Sequence, residues 1–342
     1  MKLLISNTAG LAFLAGIALS TPAFAAVTID YVTVGNAGNA ADPADGDQNT
    51  AGVQNFGAVA YAYQIGKYEV TNAQYTEFLN RADPSGENAN GIYNSFMGSN
   101  ARGGITFTSG AASGAKYTIR TSMGNKPVNY VSWYNAARFT NWLHNGQGSG
   151  STETGAYTLS GNTGLITKNV SAMVWLPSED EWYKAAYYDP TLNSNAGGYW
   201  AHATRSNTAP NVSTANATGD ISNPGANVAN YNFGADWNDQ NGNVTTVGSA
   251  GALAESYFGT ADQAGNMFEW SDAVIDLSRG LRGGSWRNGS NDLPASYRFD
   301  GPPAGGFDRV GFRVASVPEP SALLLTMIAA AVSLTRRRRS PL

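Results

Sequence analysis

Apolar positions along this chain come in short runs, broken every few residues by Gly, Asn and Asp. Such a pattern predicts brief strands joined by many turns, with few helices. The clearest strand is Val27-Thr28-Ile29-Asp30-Tyr31-Val32-Thr33-Val34, and a second spans Tyr61 to Tyr68. Three segments switch to helical spacing. The first opens at Thr71, where Gln74 three residues on completes a capping box and Val70 with Tyr75 can staple the entry. It runs through Phe78 and Leu79 and stops near Asp83-Pro84. The second opens at Ser132, carries Trp133, Ala136, Ala137 and Trp142, and ends at Asn145-Gly146. The third opens at Ser178 with Glu181 completing its box, carries Trp182, Ala185 and Ala186, and stops before Pro190. Glu179, Asp180 and Glu181 sit at the positive end of that helix, so capping accounts for them better than an acid pair. Residues 191–250 are rich in Asn, Gly, Ser and Thr, yet Tyr199, Trp200, Tyr231, Phe233 and Trp237 give them too many aromatics for disorder. They are expected to form ordered irregular structure.

The two ends read differently. Residues 1–25 have the plan of a signal peptide: Lys2, an apolar stretch from Leu11 to Leu19, and Ala23-Phe24-Ala25 as the cleavage site. Residues 317–342 contain Val317-Pro318-Glu319-Pro320, an apolar stretch from Ser321 to Thr335, and four arginines, Arg336 to Arg339. The apolar stretch is short of the about 20 residues a spanning helix needs, and the arginines would hold its end on the cytoplasmic side. This ending resembles the PEP-CTERM sorting signal of Gram-negative bacteria. The resemblance implies an exosortase as partner, transient anchoring in the membrane, and display at the cell surface among extracellular polysaccharides. Residues 26–316 between the two ends are long enough for one large domain.

Composition narrows the chemistry. A net charge of -4 leaves no basic patch outside the tail, which argues against nucleic acid. The chain has no cysteine and only two histidines, His144 and His202. Disulfides and thiol chemistry are excluded, and a histidine-rich zinc or iron site nearly so. Both histidines read as ordinary loop or helix-end residues.

Six motifs then follow in order: Ile65-Gly66-Lys67-Tyr68-Glu69-Val70-Thr71-Asn72, Pro127-Val128-Asn129-Tyr130-Val131-Ser132-Trp133, and Trp175-Leu176-Pro177-Ser178-Glu179-Asp180-Glu181-Trp182 lead. Gly265-Asn266-Met267-Phe268-Glu269-Trp270, Leu281-Arg282-Gly283-Gly284-Ser285-Trp286 and Gly311-Phe312-Arg313-Val314-Ala315 complete the set. In this order they resemble the formylglycine-generating, sulfatase-modifying family across nearly all of 26–316. The resemblance implies an α+β, C-type-lectin-like fold, a single domain with much irregular chain. It also implies an oxidase that uses a cysteine pair, with copper in some members. By motif position Asn288 replaces the first cysteine, and Ser290 or a neighbour the second. Neither an amide nor a hydroxyl binds soft Cu(I) or acts as a redox thiol, so no copper and no such oxidase activity are expected.

The family's calcium positions are matched by Asp262, the carbonyls of Gly265 and Met267, and Glu269, which are hard oxygen donors of the type calcium takes. A second candidate set is Asn230, the Tyr231 carbonyl, Asp239 and the Asn241 carbonyl, although it lacks the bidentate Glu of an EF-hand loop. Arg282, Arg298 and Arg313 are expected to fork onto buried carboxylates such as Glu269 or Asp272. Ligand contact is expected from Trp286, Asn288, Ser290, Arg298 and Phe307, with core packing the better reading of Trp286. The resulting expectation is a calcium-stabilised, non-catalytic surface module for a polysaccharide, protein or small ligand. The alternative is an enzyme whose chemistry does not use the family cysteines.

Overall fold

The helices begin where the caps place them. A computed structural model describes residues 26–318 except 45, 49–51, 160 and 162. The expected signal peptide and nearly all of the tail lie outside the described residues. Strand β1 (Tyr31–Val34) and strand β2 (Tyr63–Gly66) pair antiparallel, and helix α1 (Asn72–Ala82) follows. At its start the Thr71 hydroxyl accepts from Gln74 N, and the Gln74 side chain accepts from Thr71 N at 2.8 Å, so two orphan donors are satisfied reciprocally. A short turn of helix α2 (Phe96–Ser99) precedes the hairpin of β3 (Ile105–Phe107) and β4 (Tyr117–Ile119). Helix α3 (Trp133–His144) starts on the Ser132 cap. Strand β5 (Val174–Trp175) leads to helix α4 (Glu179–Tyr187), whose box is Ser178 with Glu181.

The 191–250 region is ordered, as its aromatics require. Strands β6 (Tyr188–Asp189) and β7 (Gly198–Tyr199) pair antiparallel, while β8 (Asn211–Val212) and β9 (Val228–Ala229) pair parallel. The C-terminal part supplies β10 (Phe268–Ile275), β11 (Ser278–Arg282), β12 (Phe299–Gly301), β13 (Val310–Gly311) and β14 (Ala315–Ser316).

Two four-stranded sheets result. One has the order β1-β2-β14-β5, the other β12-β11-β10-β13. In the first, Ala315 faces Ile65 on one side and Trp175 on the other, so the last strand is an inner one. In the second, β10 and β11 form a long antiparallel pair with an irregularity between Trp270 and Val274, and β13 joins in parallel.

The main core lies where α1 and α3 meet the chain between β13 and β14. Tyr75 and Phe78 of α1, Phe139 and Trp142 of α3, and Phe312 pack ring against ring, mostly edge-on. A second cluster gathers Trp182, Tyr183 and Tyr187 of α4 with Tyr231 and Leu293. Between the two clusters runs the polar seam that holds the candidate site. Among the described residues no helix is long and apolar enough to cross a membrane.

Candidate functional site

The seam is organised by one buried guanidinium. Arg313 leaves β13 in a stretch fully enclosed by β2, β10 and the 260s loop, and it is 0% exposed. Its Nε and Nη2 fork onto the Glu269 carboxylate, each at 2.6 Å. The remaining donors go to the carbonyls of Gly66, Lys67 and Ala261 at 2.9–3.0 Å. Trp182 Nε1 adds a bond to Glu269 Oε2 at 2.8 Å. The expected pairing of Arg313 with Glu269 is therefore present, in the planar bidentate form that suits a guanidinium.

Two further acids share this neighbourhood. Glu69 is buried; its Oε1 accepts from Asn266 Nδ2 at 3.1 Å, and its Oε2 has no protein partner. Burial first, and then the charges of Asp262 and Glu269, push the Glu69 carboxyl well above its ordinary value, against the pull of Arg313. Asp262 Oδ2 accepts from Gly248 N at 2.5 Å. Burial pushes it up to about 6, although the Gly248 amide and Arg313 oppose the shift. Three carboxyl groups thus face one arginine, and the excess is negative when all three are ionised.

Backbone shape brings the motif together. Gly265 has φ +81°, and a Cβ there would lie 2.2 Å from the Asn230 carbonyl oxygen, so only glycine permits the approach. That contact seats Asn266, whose N–H donates to the Asn230 carbonyl at 2.7 Å.

For the first calcium set, the structure draws Asp262 and Glu269 to the same pocket of buried charge but gives both Glu269 oxygens to Arg313. Among the described residues, no group of three or more His, Cys, Asp or Glu side chains is arranged to hold a metal ion. A cation here would therefore depend on carbonyl oxygens, Asp262 and the spare oxygen of Glu69. Those donors are hard, and the orphaned buried Glu69 Oε2 fits such an ion. Glu69 was missed at the sequence level. The signal was available, since it stands between Tyr68 and Val70 at a helix entry, where an acid is easily buried.

The second set is spread between a buried position and an exposed turn. Asn230 is buried and its Nδ2 donates to the Asn243 carbonyl at 2.9 Å. Its Oδ1 has no protein partner. Asp239 and Asn241 are instead exposed, on a turn with φ +56° at Asp239. The Asn241 carbonyl accepts from Arg102 Nη2 at 2.8 Å, and the Tyr231 carbonyl from Gly234 N at 3.0 Å. The side chains that do surround Asn230 belong to Thr245 and Asn266.

The segment after Gly283-Gly284 holds most of the residues expected to contact a ligand, and core packing, the better reading of Trp286, is what the structure has. Trp286 is 2% exposed, packed edge-on against Phe233 at 5.6 Å and covered by Arg102, whose guanidinium lies 4.4 Å from the ring centroid. It cannot offer a face to a ligand. Asn288 is tied on both sides, accepting from the Ser285 hydroxyl and donating to Asp292 Oδ2 at 2.6 Å. Arg298 is engaged by Glu179 at 2.5 Å and Asp47 at 3.4 Å. Phe307 is half-buried beneath Arg309, 5.6 Å from its ring centroid. Ser290 alone of the five is exposed, in a single turn of 3-10 helix.

Glu179 stands in the first turn of α4, as expected, and does more there. Beyond ending a helix, its carboxylate is the shared partner of Arg282 at 2.7 Å and Arg298 at 2.5 Å. Asp272, expected as a partner for one of the three arginines, pairs instead with Arg279 at 3.3 Å. His144 is the last residue of α3, and its Nδ1 accepts from Met173 N at 3.1 Å.

Solved structures resemble this arrangement in fold. Treponema denticola variable protein 1 superposes with a TM-score of 0.50 at 18% identity, covering 87% of this chain and 100% of that one. CarF superposes with a TM-score of 0.52 at 18% identity, covering 85% and 99%. No curated protein matches the chain. The family model of the sulfatase-modifying factor enzyme 1-like domain matches residues 28–317, which is the whole of the folded region just described. The chain belongs to the family of sulfatase-modifying factor enzyme 1-like domains.

Proposed function

We propose that this chain is an exported, surface-displayed member of its family that binds a ligand and does not oxidise thiols. One observation carries the reading: the chain contains no cysteine, and the stretch from Trp286 to Leu293 offers the amides of Asn288 and Asn291 and the hydroxyl of Ser290 in place of sulfur. Without thiolate the protein supplies no soft ligand for Cu(I) and no reductant for dioxygen. The packing of that stretch supports the reading. Asn288 is held by Ser285 and Asp292, Leu293 is fully buried, and Arg102 covers Trp286. The test is a thiol-oxidation assay with a Cys-Thr-Pro-Ser-Arg peptide, copper and oxygen. No formylglycine is expected; its formation by the purified protein ends the proposal.

Export through residues 1–25 and recognition of residues 317–342 by an exosortase belong to the same proposal. They rest on the signal-peptide plan and on the Pro-Glu-Pro, apolar stretch and arginine cluster in sequence. Association with extracellular polysaccharide follows from that placement. Calcium is proposed as a structural ion. Asp262, Glu69 and the carbonyls of Gly265 and Met267 would hold it, with Glu269 beside them, and it would supply the positive charge that the three buried acids lack.

A further inference from the structure

Away from the Arg313 seam, α4, the end of β7 and the chain after Leu293 line a cleft of about 220 Å³. Its walls carry Asp42, Tyr183, Tyr199, Trp200, Asn207 and Ser296. We infer that this cleft is a subsite for one neutral sugar ring. The inference rests on the reading of the chain as a ligand-binding module and gives that module a place and a ligand class.

The walls are built and fixed. Tyr183 and Tyr199 pack at 5.7 Å between centroids. The Tyr199 hydroxyl is turned away to the Ala40 carbonyl at 2.7 Å, so ring surface rather than hydroxyl is what Tyr199 can offer the cleft. Trp200 is half-buried, and its Nε1 is anchored to Asp189 Oδ2 at 3.1 Å. The indole is thereby held in place with part of its surface open. The opposite wall is tied to the same strand, because Ala295 N donates to the Ala201 carbonyl at 2.8 Å.

Polar groups complete the pattern. Asp42 is buried at the base, with Oδ1 accepting from Ala44 N at 3.0 Å and Oδ2 from the Tyr183 hydroxyl at 2.9 Å. A carboxylate has about four acceptor sites, so two remain for hydroxyl donors. Asn207 is exposed at the rim; its Oδ1 accepts from Ala201 N at 3.1 Å, which leaves its Nδ2 to donate outward. Aromatic faces beside convergent acceptors and donors match a pyranose, which has apolar C–H faces and a polar hydroxyl edge. The volume lies below the about 300 Å³ at which pockets for drug-sized molecules begin, and so admits a single ring.

An aromatic wall beside a carboxylate also invites an organic cation. Here the Arg282 guanidinium already lies 5.4 Å from the Tyr183 ring centroid and 4.8 Å from that of Phe56. Those ring faces already hold a cation, which favours the neutral ligand.

The test titrates the secreted-form protein with a panel of neutral monosaccharides and their oligomers by calorimetry and ligand-observed NMR. Trp200→Ala is expected to weaken the best binder roughly tenfold, about 1.4 kcal/mol. Asn207→Leu, at an exposed position, is expected to weaken it as well, which keeps the test decisive if Trp200→Ala unfolds. Sugar binding unchanged in both variants overturns the assignment while leaving the ligand-binding reading intact. Binding of tetramethylammonium but of no sugar overturns it in favour of a cation site, and an empty panel also overturns it. The thiol-oxidation assay, run in parallel, decides the non-catalytic reading separately.

Discussion

The guanidinium of Arg102 sits over the indole of Trp286, 4.4 Å from the ring centroid, while its Nε and Nη2 donate to the carbonyls of Gly242 and Asn241 at 2.9 and 2.8 Å. One arginine from the chain before β3 therefore closes the segment in which the oxidases of this family carry their sulfur. Arg102→Ala removes the cover and two charged hydrogen bonds. A loss of about 1–3 kcal/mol is expected, together with stronger quenching of tryptophan fluorescence by acrylamide. Unchanged quenching would show that Trp286 is shielded by something else.

Arg313 and Glu269 are both fully buried, so each is the other's compensation. Arg313→Met leaves a buried carboxylate unpaired and is expected to cost about 3–5 kcal/mol in denaturant unfolding. The double variant Arg313→Met, Glu269→Leu is expected to be less destabilised than Arg313→Met alone. If the double variant is the worse of the two, the three carbonyls that Arg313 gathers matter more than the charge pair.

The acids beside that pair give a pH signature. Glu69 and Asp262 both have folded-state values raised above those of the unfolded chain, Asp262 to about 6. The folded state then binds more protons between about pH 4 and 6, so stability is fullest below that window and is lost as pH rises through it. Calcium favours the charged form and offsets the loss. With EDTA the unfolding midpoint should fall from pH 5 to pH 7.5. Calcium at a hundredfold excess over its Kd should restore about 2.7 kcal/mol at the higher pH and much less at the lower. Coincident curves with and without the ion remove calcium from the account.

Ser178 and Glu181 form a capping box, but the two are unequal. Glu181 Oε2 accepts from Ser178 N at 2.7 Å and Trp175 Nε1 at 3.0 Å, and Oε1 accepts from the Tyr61 hydroxyl at 2.7 Å. Ser178→Ala is expected to cost about 1 kcal/mol, as an N-cap does. Glu181→Ala should cost more, because a buried indole N–H and a tyrosine hydroxyl lose their acceptor. Equal losses in thermal unfolding would reduce Glu181 to a cap and nothing else.

These residues show what was legible beforehand. Caps act over three or four positions, so Thr71, Ser132 and Ser178 announced α1, α3 and α4 directly. The six motifs announced the fold, because short strands in fixed order leave little freedom in their pairing. Partner identity was less visible. Glu179 was read as a cap because the local explanation was sufficient, and nothing local points to Arg282, 103 residues away, or to Arg298. Arg102 meets Asn241 across 139 residues, with no periodicity to mark either. Turn residues were legible in their spacing but not in their placement. Asp239 and Asn241 have the oxygen-rich spacing of a cation loop, yet the alternation belongs to an exposed turn, and Asn230 faces inward to Asn243 and Asn266.

The placement of β14 has a consequence for how the molecule is made. Its Ser316 meets Gln64 across 252 residues, and its neighbours β2 and β5 have no direct pairing with each other. A chain emerging N-terminus first from a ribosome carries an open slot between those two strands until Ala315 and Ser316 arrive. Completion is by insertion into a gap rather than by growth at a margin, so nascent molecules remain unsealed for the whole of their synthesis and depend on being kept from pairing with one another in that interval.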